Sequence, residues 1–194
     1  MCLQNRHYPD IFVLPVKFCV ALLTPHAPIP NMKRSLLVGI VLLVSATSGW
    51  ASGSVSISTS GGVTFPAGNP SVQPITPASN SLVATITVTS PKNGDFWNLT
   101  IRGASSNFTG SSGAPIPIAN VQWSASAVVL DGRGNVTVSS GQNLSTSDFT
   151  VAFGSTGNKS PFIVQVTFTF TITNSWTYDA DTYLQNLVLT ATAN

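Results

Sequence analysis

One stretch, Phe162 to Thr173 with the sequence FIVQVTFTFTIT, limits the possible folds of this chain more than any other. Every second residue from Val164 to Ile172 is apolar, and the residues between them are mostly threonine and glutamine. Successive side chains of a β-strand point to opposite faces, so the pattern predicts a long strand with one apolar and one polar face. The apolar face must be covered, and the chain from Val55 to Ala193 is suited to cover it.

The rest of this region consists of short strand patterns separated by turn residues. These patterns cover residues 53–60, 63–65, 81–89, 96–102, 121–130, 135–139, 149–153 and 183–193. No segment outside the N-terminal region has the periodicity of an amphipathic helix. The sequence therefore predicts an all-β fold, an antiparallel immunoglobulin-like β-sandwich of about eight or nine strands, as a single domain over residues 52–194.

A turn motif stands between two of the strongest patterns. Asn93-Gly94 separates the apolar alternation that ends at Thr89 from the one that begins at Phe96. Asn-Gly is the preferred dipeptide of tight β-hairpins, because both of its residues tolerate the backbone angles that such a turn needs. We therefore predict that these two strands form a hairpin.

The N-terminal region has the three parts of a secretory signal. Lys33 and Arg34 are followed by the apolar run LLVGIVLLV and then by small residues up to Ala51. This order is typical of a cleaved leader, and the run is shorter than the roughly 20 apolar residues of a membrane span. We predict a signal peptide over residues 32–51, and residues 1–31 are interpreted as an upstream extension from a misassigned start. The mature protein is expected to be secreted or held at the cell surface, without a stable membrane span.

The composition after the leader excludes several functions. From Ser52 onward there is no His, Cys or Glu, so the commonest catalytic bases, nucleophilic thiols and metal ligands are missing. Lys92, Arg102, Arg133 and Lys159 stand against Asp95, Asp131, Asp148, Asp179 and Asp181, and four minus five gives a charge of −1. A nearly neutral surface argues against nucleic acid binding. We expect a non-enzymatic protein with no cofactor.

The connection before the last strand holds the candidate binding residues, which are Trp176, Tyr178, Asp179 and Asp181. Trp176 offers an aromatic surface for a sugar ring, whereas Trp97 and Trp123 are in phase with core positions. Asp179 and Asp181 form a weak calcium candidate, because a calcium site needs six or more oxygen ligands. The same two carboxylates would have to serve any glycosidase activity, which is the least favoured of the hypotheses.

A set of short motifs suggests a family. The triplet WNL at residues 97–99 follows the Asn-Gly turn, and the segment IPIAN at residues 116–120 comes after it. Tyr183 and Leu187 match the start of a second motif, in which this chain has Leu189 at the place of a second tryptophan. Over about residues 82–194 the pattern resembles the WxL cell-wall-binding domains of bacterial surface proteins. The resemblance implies a secreted β-rich domain that attaches noncovalently to peptidoglycan.

Two mechanisms remain open for such a surface protein. In the first, the folded domain binds a wall or surface polysaccharide through the loop residues named above. In the second, the protein is a filament subunit, and its Gly-rich arm at residues 52–65 pairs with a sheet edge of another copy. Backbone pairing of this kind needs little sequence specificity, and low charge favours it.

Overall fold

β-strands are the dominant regular structure of the chain in a computed structural model that describes residues 16–21, 54–89, 91, 93–111, 113–179 and 181–193. The strands are β1 Val16–Ala21, β2 Val55–Thr59, β3 Val63–Phe65, β4 Ile75–Pro77, β5 Leu82–Val88, β6 Phe96–Gly103, β7 Asn107–Phe108, β8 Ile116–Pro117, β9 Val121–Asp131, β10 Thr137–Val138, β11 Phe149–Ser155, β12 Phe162–Thr173 and β13 Thr182–Ala193. One short 3-10 helix, Ile118–Asn120, precedes β9, and the described residues contain no α-helix. The all-β prediction is confirmed, although the described strands outnumber the eight or nine predicted.

The strands form two main sheets around one core. The first sheet has the order β10-β11-β6-β13-β1-β3, and the second has the order β2-β5-β12-β4 with β9 also paired to β12. A separate small sheet joins β7 and β8. The pairings are antiparallel, as predicted, except that β1 runs parallel to β3. Buried side chains from both main sheets belong to one hydrophobic cluster, which gives a sandwich-like arrangement.

The predicted long strand, β12, is the centre of the second sheet. It pairs with β5 on one side and with β9 on the other, and its apolar residues from Val164 to Ile172 are buried. The β12 residue Phe168 contacts Trp123 of β9 at a ring-centroid distance of 6.2 Å. Trp97 and Trp123 are each 1% exposed, which confirms their assignment to the core. Burial of these large aromatic side chains is a major source of stability.

The predicted hairpin at Asn93-Gly94 is wrong. β5 lies in the second sheet between β2 and β12, whereas β6 lies in the first sheet between β11 and β13. The turn carries the chain from one sheet to the other, with a φ of 92° at Gly94 and a 2.8 Å hydrogen bond from the Gly94 amide to the Thr156 carbonyl. The Asn-Gly turn specifies only a reversal of the chain. β5 and β6 each have two hydrogen-bonded neighbours, and these neighbours lie in different sheets.

Four strands, β1, β4, β7 and β8, lie outside the predicted strand patterns, and β7 and β8 form the small separate sheet. β4 lies in the proline-rich connection and is accommodated because it is an edge strand, paired only with Thr171 to Thr173 of β12. β1 lies within residues 1–31, of which only Val16–Ala21 are among the described residues. The predicted signal peptide at 32–51, with its cleavage site after Ala51, lies outside the described residues.

Candidate assembly and binding sites

A place for one strand exists in the first sheet between β13 and β3, and β1 occupies it. Val16–Ala21 pairs antiparallel with residues 182–187 of β13, and Phe18 to Val20 pair parallel with residues 63–65 of β3. We call this place the strand seat, bounded by residues 182–187 and 63–65. The sheet order shows that β3 joins the first sheet through β1. The first sheet is therefore completed by a segment that is distant in sequence from the strands on either side of it.

Alternate residues of both bounding strands direct their backbone N–H and C=O groups into the strand seat. Leu184 exchanges two 3.0 Å backbone hydrogen bonds with Thr109, on the side of β13 away from β1. The Thr64 carbonyl accepts a 2.8 Å bond from the Ser79 amide, and the Thr64 amide donates a 3.0 Å bond to Asn80 Oδ1. Backbone polar groups of neighbouring residues in a strand point to opposite sides. The residues whose backbone groups face the seat are therefore Val63, Phe65, Tyr183, Gln185 and Leu187.

The seat is apolar on its core side apart from Gln185, which is 6% exposed and donates hydrogen bonds to the Ser105 and Asn107 carbonyls. Val63, Tyr183 and Leu187 are fully buried, and Phe65 is 3% exposed. The register places alternate residues of β1, which are Val16, Phe18 and Val20, opposite Leu187, Gln185 and Tyr183 of β13. A strand that enters this seat thus needs apolar residues at every second position, and two backbone ladders then hold it.

The sequence analysis did not identify this site, because it interpreted residues 1–31 as an upstream extension and assigned no strand to them. The segment VKFCV at residues 16–20 has the period of two that is typical of a β-strand, because Val, Phe and Val alternate with Lys and Cys. Pro15 and Lys17 interrupt the longer apolar run, and this interruption concealed the alternation. A short strand pattern does not reveal its partners, which here lie about 45 and 165 residues further along the chain.

The described part of the predicted arm belongs to the domain's own sheets. β2 pairs with β5 in the second sheet, and β3 bounds the strand seat in the first. The chain crosses between the sheets at Gly61 and Gly62, and Gly61 has a φ of 131°, a conformation that favours glycine. The described part of the arm thus consists of two short strands in different sheets, joined by a glycine pair.

The two aromatic residues of the candidate loop have different environments. Trp176 is 46% exposed, and its indole Nε1 donates a 3.0 Å hydrogen bond to Ser71 Oγ. Tyr178 is partly buried against the core, and its hydroxyl accepts a 2.7 Å hydrogen bond from Asn120 Nδ2. Only Trp176 of this pair presents much of its ring to solvent.

The two aspartates of the same loop differ in their contacts. Asp181 accepts hydrogen bonds from the Ser111 hydroxyl at 2.7 Å, the Thr182 amide at 2.7 Å and the Gly113 amide at 3.3 Å. Asp179 has an exposed side chain, and its backbone carbonyl accepts a 3.3 Å bond from the Tyr183 hydroxyl. Asp181 thereby fastens the loop around residue 111 to the start of β13. In the described part of the chain no three His, Cys, Asp or Glu side chains lie together.

A shallow depression lies on the outer side of the first sheet. It has a volume of about 350 Å³ and is lined by residues of β6, β11 and β13, namely Phe96, Trp97, Asn98, Thr150, Phe153 and Thr192, of which Trp97 has its side chain in the core. Phe96 is 64% exposed and Phe153 is 38% exposed, and the Thr192 hydroxyl donates a 2.7 Å bond to Asn98 Oδ1. Exposed aromatic rings beside amide and hydroxyl groups are the type of surface that holds a sugar. The sequence did not indicate it, because pairing of β6 with β11 is what brings Phe96 and Phe153 together.

Comparison with known proteins gives no relatives for this chain. No protein-family model matches it, and neither a curated protein nor a solved structure does. The WxL resemblance at residues 97–99 therefore stays a prediction from short motifs. The described residues contain no helix with the length and apolarity to cross a membrane.

Proposed function

We propose that this chain is a secreted, non-enzymatic structural protein of a bacterial cell surface that assembles by accepting a β-strand from another polypeptide. The observation that carries the proposal is the position of β1 in the strand seat. The predicted leader at 32–51 lies between β1 and the rest of the domain, so the exported domain lacks the strand that fills the seat, whether translation starts at Met1 or at Met32. The exported domain then has an open place for one strand in its first sheet.

An open strand seat is a binding site of known chemistry. An added strand gains affinity from main-chain hydrogen bonds, and pockets for alternate side chains give specificity. Here the donor strand would be bonded on both sides, to β13 and to β3, and its alternate residues would cover Val63, Phe65 and Leu187. The immunoglobulin-like arrangement belongs to the same proposal, since two sheets over one core provide a frame that lacks a single strand.

The composition supports assembly in preference to catalysis. Residues 52–194 contain no His, Cys or Glu, and solubility comes from Ser, Thr, Asn and Gly. Strand edges free of charge permit pairing between chains, whereas charged edges prevent it. The glycosidase hypothesis would need both Asp179 and Asp181 as catalytic carboxylates, and Asp181 already has a fastening role in its loop.

The test uses the protein recovered after export from a secreting bacterial host. Mass spectrometry is expected to give an N-terminus at Ser52. A synthetic peptide of residues 14–23, LPVKFCVALL, is expected to bind the monomeric fraction, in which the seat is open, and to raise its Tm by several degrees through mass action, whereas a scrambled peptide leaves it unchanged. Retention of Val16–Ala21 in the exported protein, or equal effects of the two peptides, would overturn the proposal.

A second candidate function is binding of a wall or surface polysaccharide at the outer depression. The exposed rings of Phe96 and Phe153 favour it, and Trp176 on the loop after β12 is the alternative platform. Isolated cell walls are expected to retain the exported protein, and the double variant F96A/F153A is expected to lose this retention. If W176A loses it instead, the loop is the binding site, and if unaltered protein is not retained, wall binding is excluded.

A further inference from the structure

We infer that the strand that fills the seat after export is β2 of a second copy of this chain. The inference rests on the proposed function, because it names the donor for the same seat. β2 has the sequence VSIST, in which Val55, Ile57 and Thr59 alternate with serine. Aligned with β1, these three residues take the register positions of Val16, Phe18 and Val20. The donor then runs antiparallel to β13 and parallel to β3, as β1 does.

The position of β2 in its own domain makes it available as a donor. Among the described strands it lies at the edge of the second sheet and pairs on one side, with β5. Ile57 is its one buried residue, while Val55 and Thr59 are partly buried and the serines are exposed. In the seat of another copy the same strand would be paired on both sides. The exchange therefore replaces one hydrogen-bonded strand pairing by two, and the donor strand covers the core side of the seat.

The connection after β2 has the properties of a hinge. Ser60 is the last residue tied to the second sheet, through a 2.9 Å bond from its amide to the Val83 carbonyl. The Gly62 carbonyl accepts a 2.7 Å bond from Asn80 Nδ2, beside β3. Gly61 lies between these anchors at positive φ. A change of backbone angles at the glycine pair can thus redirect β2 while β3 keeps its place.

The geometry of this exchange allows a series of copies, either closed into a ring or open as a helical filament. The donor surface is β2 and the acceptor surface is the strand seat, so the contact joins two different patches. Such heterologous contacts generate rings or helical filaments rather than closed two-fold dimers. Each copy would donate one strand and accept one strand, which fits a filament subunit.

Cysteine cross-linking tests the register directly. Ser58 of the donor would take the position of Cys19, which is paired with Leu184. In its own domain Ser58 pairs with Thr85 of the second sheet, whereas Leu184 belongs to the first. Both residues are exposed, so their substitution does not disturb the core. The variant S58C/L184C is made in a C2S/C19S background, exported and oxidised without reductant.

A ladder of dimers, trimers and larger products is expected, and a reductant should collapse it to the single chain. The matched control S58C/V128C places the second cysteine on β9, where Val128 is 51% exposed, and should give no ladder. Absence of a ladder from S58C/L184C, a cross-link confined to one chain, or an equal ladder from the control overturns β2 as donor. If the peptide of residues 14–23 still binds, the proposed strand seat survives and the donor is a different polypeptide.

Discussion

The Ser111 hydroxyl donates a 2.7 Å hydrogen bond to the Asp181 carboxylate, across a separation of 70 residues in the chain. The same carboxylate accepts bonds from two backbone amides, at Gly113 and Thr182. These bonds hold the loop that follows β7 against the first residues of β13. Since residues 182–187 also bound the strand seat, Asp181 stabilises one border of the proposed assembly site.

Substitution of Asp181 should therefore lower stability, whereas substitution of Asp179 should not. We expect D181N to reduce the free energy of unfolding by about 1–2 kcal/mol, because a charged acceptor with several donors is replaced by a neutral group. The matched variant D179N keeps the backbone carbonyl that Tyr183 uses and should change stability by less than about 0.5 kcal/mol. Urea unfolding measures both. Equal losses of stability in D181N and D179N, together with a stabilisation by added calcium of the unaltered protein alone, would instead support the calcium site.

Tyr183 should make the fold sensitive to alkali. Burial raises the pKa of its phenol above the ordinary value of 10.0, and the negative charges of Asp181 and Asp179 raise it further. The neutral phenol is favoured by folding, so its contribution is complete below pH 10 and is lost as the pH rises through the folded pKa. We expect Y183F to unfold with a smaller pH dependence above pH 10 than the unaltered chain. Parallel curves of urea midpoint against pH for the two proteins would contradict this assignment.

The alternation of polar and apolar residues predicted most of the strands, but it could not predict their partners. The bounds of β12 agree with the pattern at both ends, and the alternating apolar residues of β5, β6 and β13 are buried. The alternation indicates which face of a strand is apolar, but it does not indicate which strand lies beside it. For this reason the hairpin at Asn93-Gly94 was wrong, while the strands on both sides of it were correctly placed.

The candidate sites were less accessible to sequence reasoning than the strands. The strand seat depends on residues near positions 18, 64 and 184, which come together only when the first sheet forms. The outer depression likewise needs the register that pairs Phe153 with Asn98 and Ser155 with Phe96. The fastening role of Asp181 was not predicted, because its donor at Ser111 is remote in sequence; the sequence indicated Asp181 as a binding, calcium-ligating or catalytic carboxylate.

Removal of a central core side chain should lower the free energy of unfolding by several kcal/mol. Phe168 is fully buried, stacks on Phe170 at 6.0 Å and meets Trp123 at 6.2 Å in an edge-to-face arrangement. We expect F168A to lower the free energy of unfolding by about 3–5 kcal/mol, through lost burial and an unfilled cavity. V128A, at a half-exposed position of the neighbouring strand β9, serves as the control and should change it by less than about 0.5 kcal/mol. A loss below about 1 kcal/mol in F168A would contradict the central position of β12.

The last prediction concerns the surface pair of Asp131 and Lys159. The Lys159 ammonium donates a 2.5 Å hydrogen bond to the Asp131 carboxylate, which also accepts a 2.6 Å bond from the Gly132 amide. The bond from Lys159 is the largest cause that lowers the pKa of Asp131 below its ordinary value of 3.8, followed by the Gly132 amide and the charge of Lys159. The charged carboxylate is favoured by folding. Its contribution is therefore present above pH 3.8 and is lost as the pH falls through the folded pKa.

We expect K159Q to raise the pKa of Asp131 towards 3.8, as measured by an NMR titration of the Asp131 carboxyl carbon. Because both side chains are exposed, 0.5 M salt should move the pKa of the unaltered protein in the same direction, by screening the pair. The Gly132 amide remains in K159Q, so part of the lowering should persist. An Asp131 pKa that does not respond to K159Q would show that the backbone amide alone is responsible, and that the ion pair is not formed in solution.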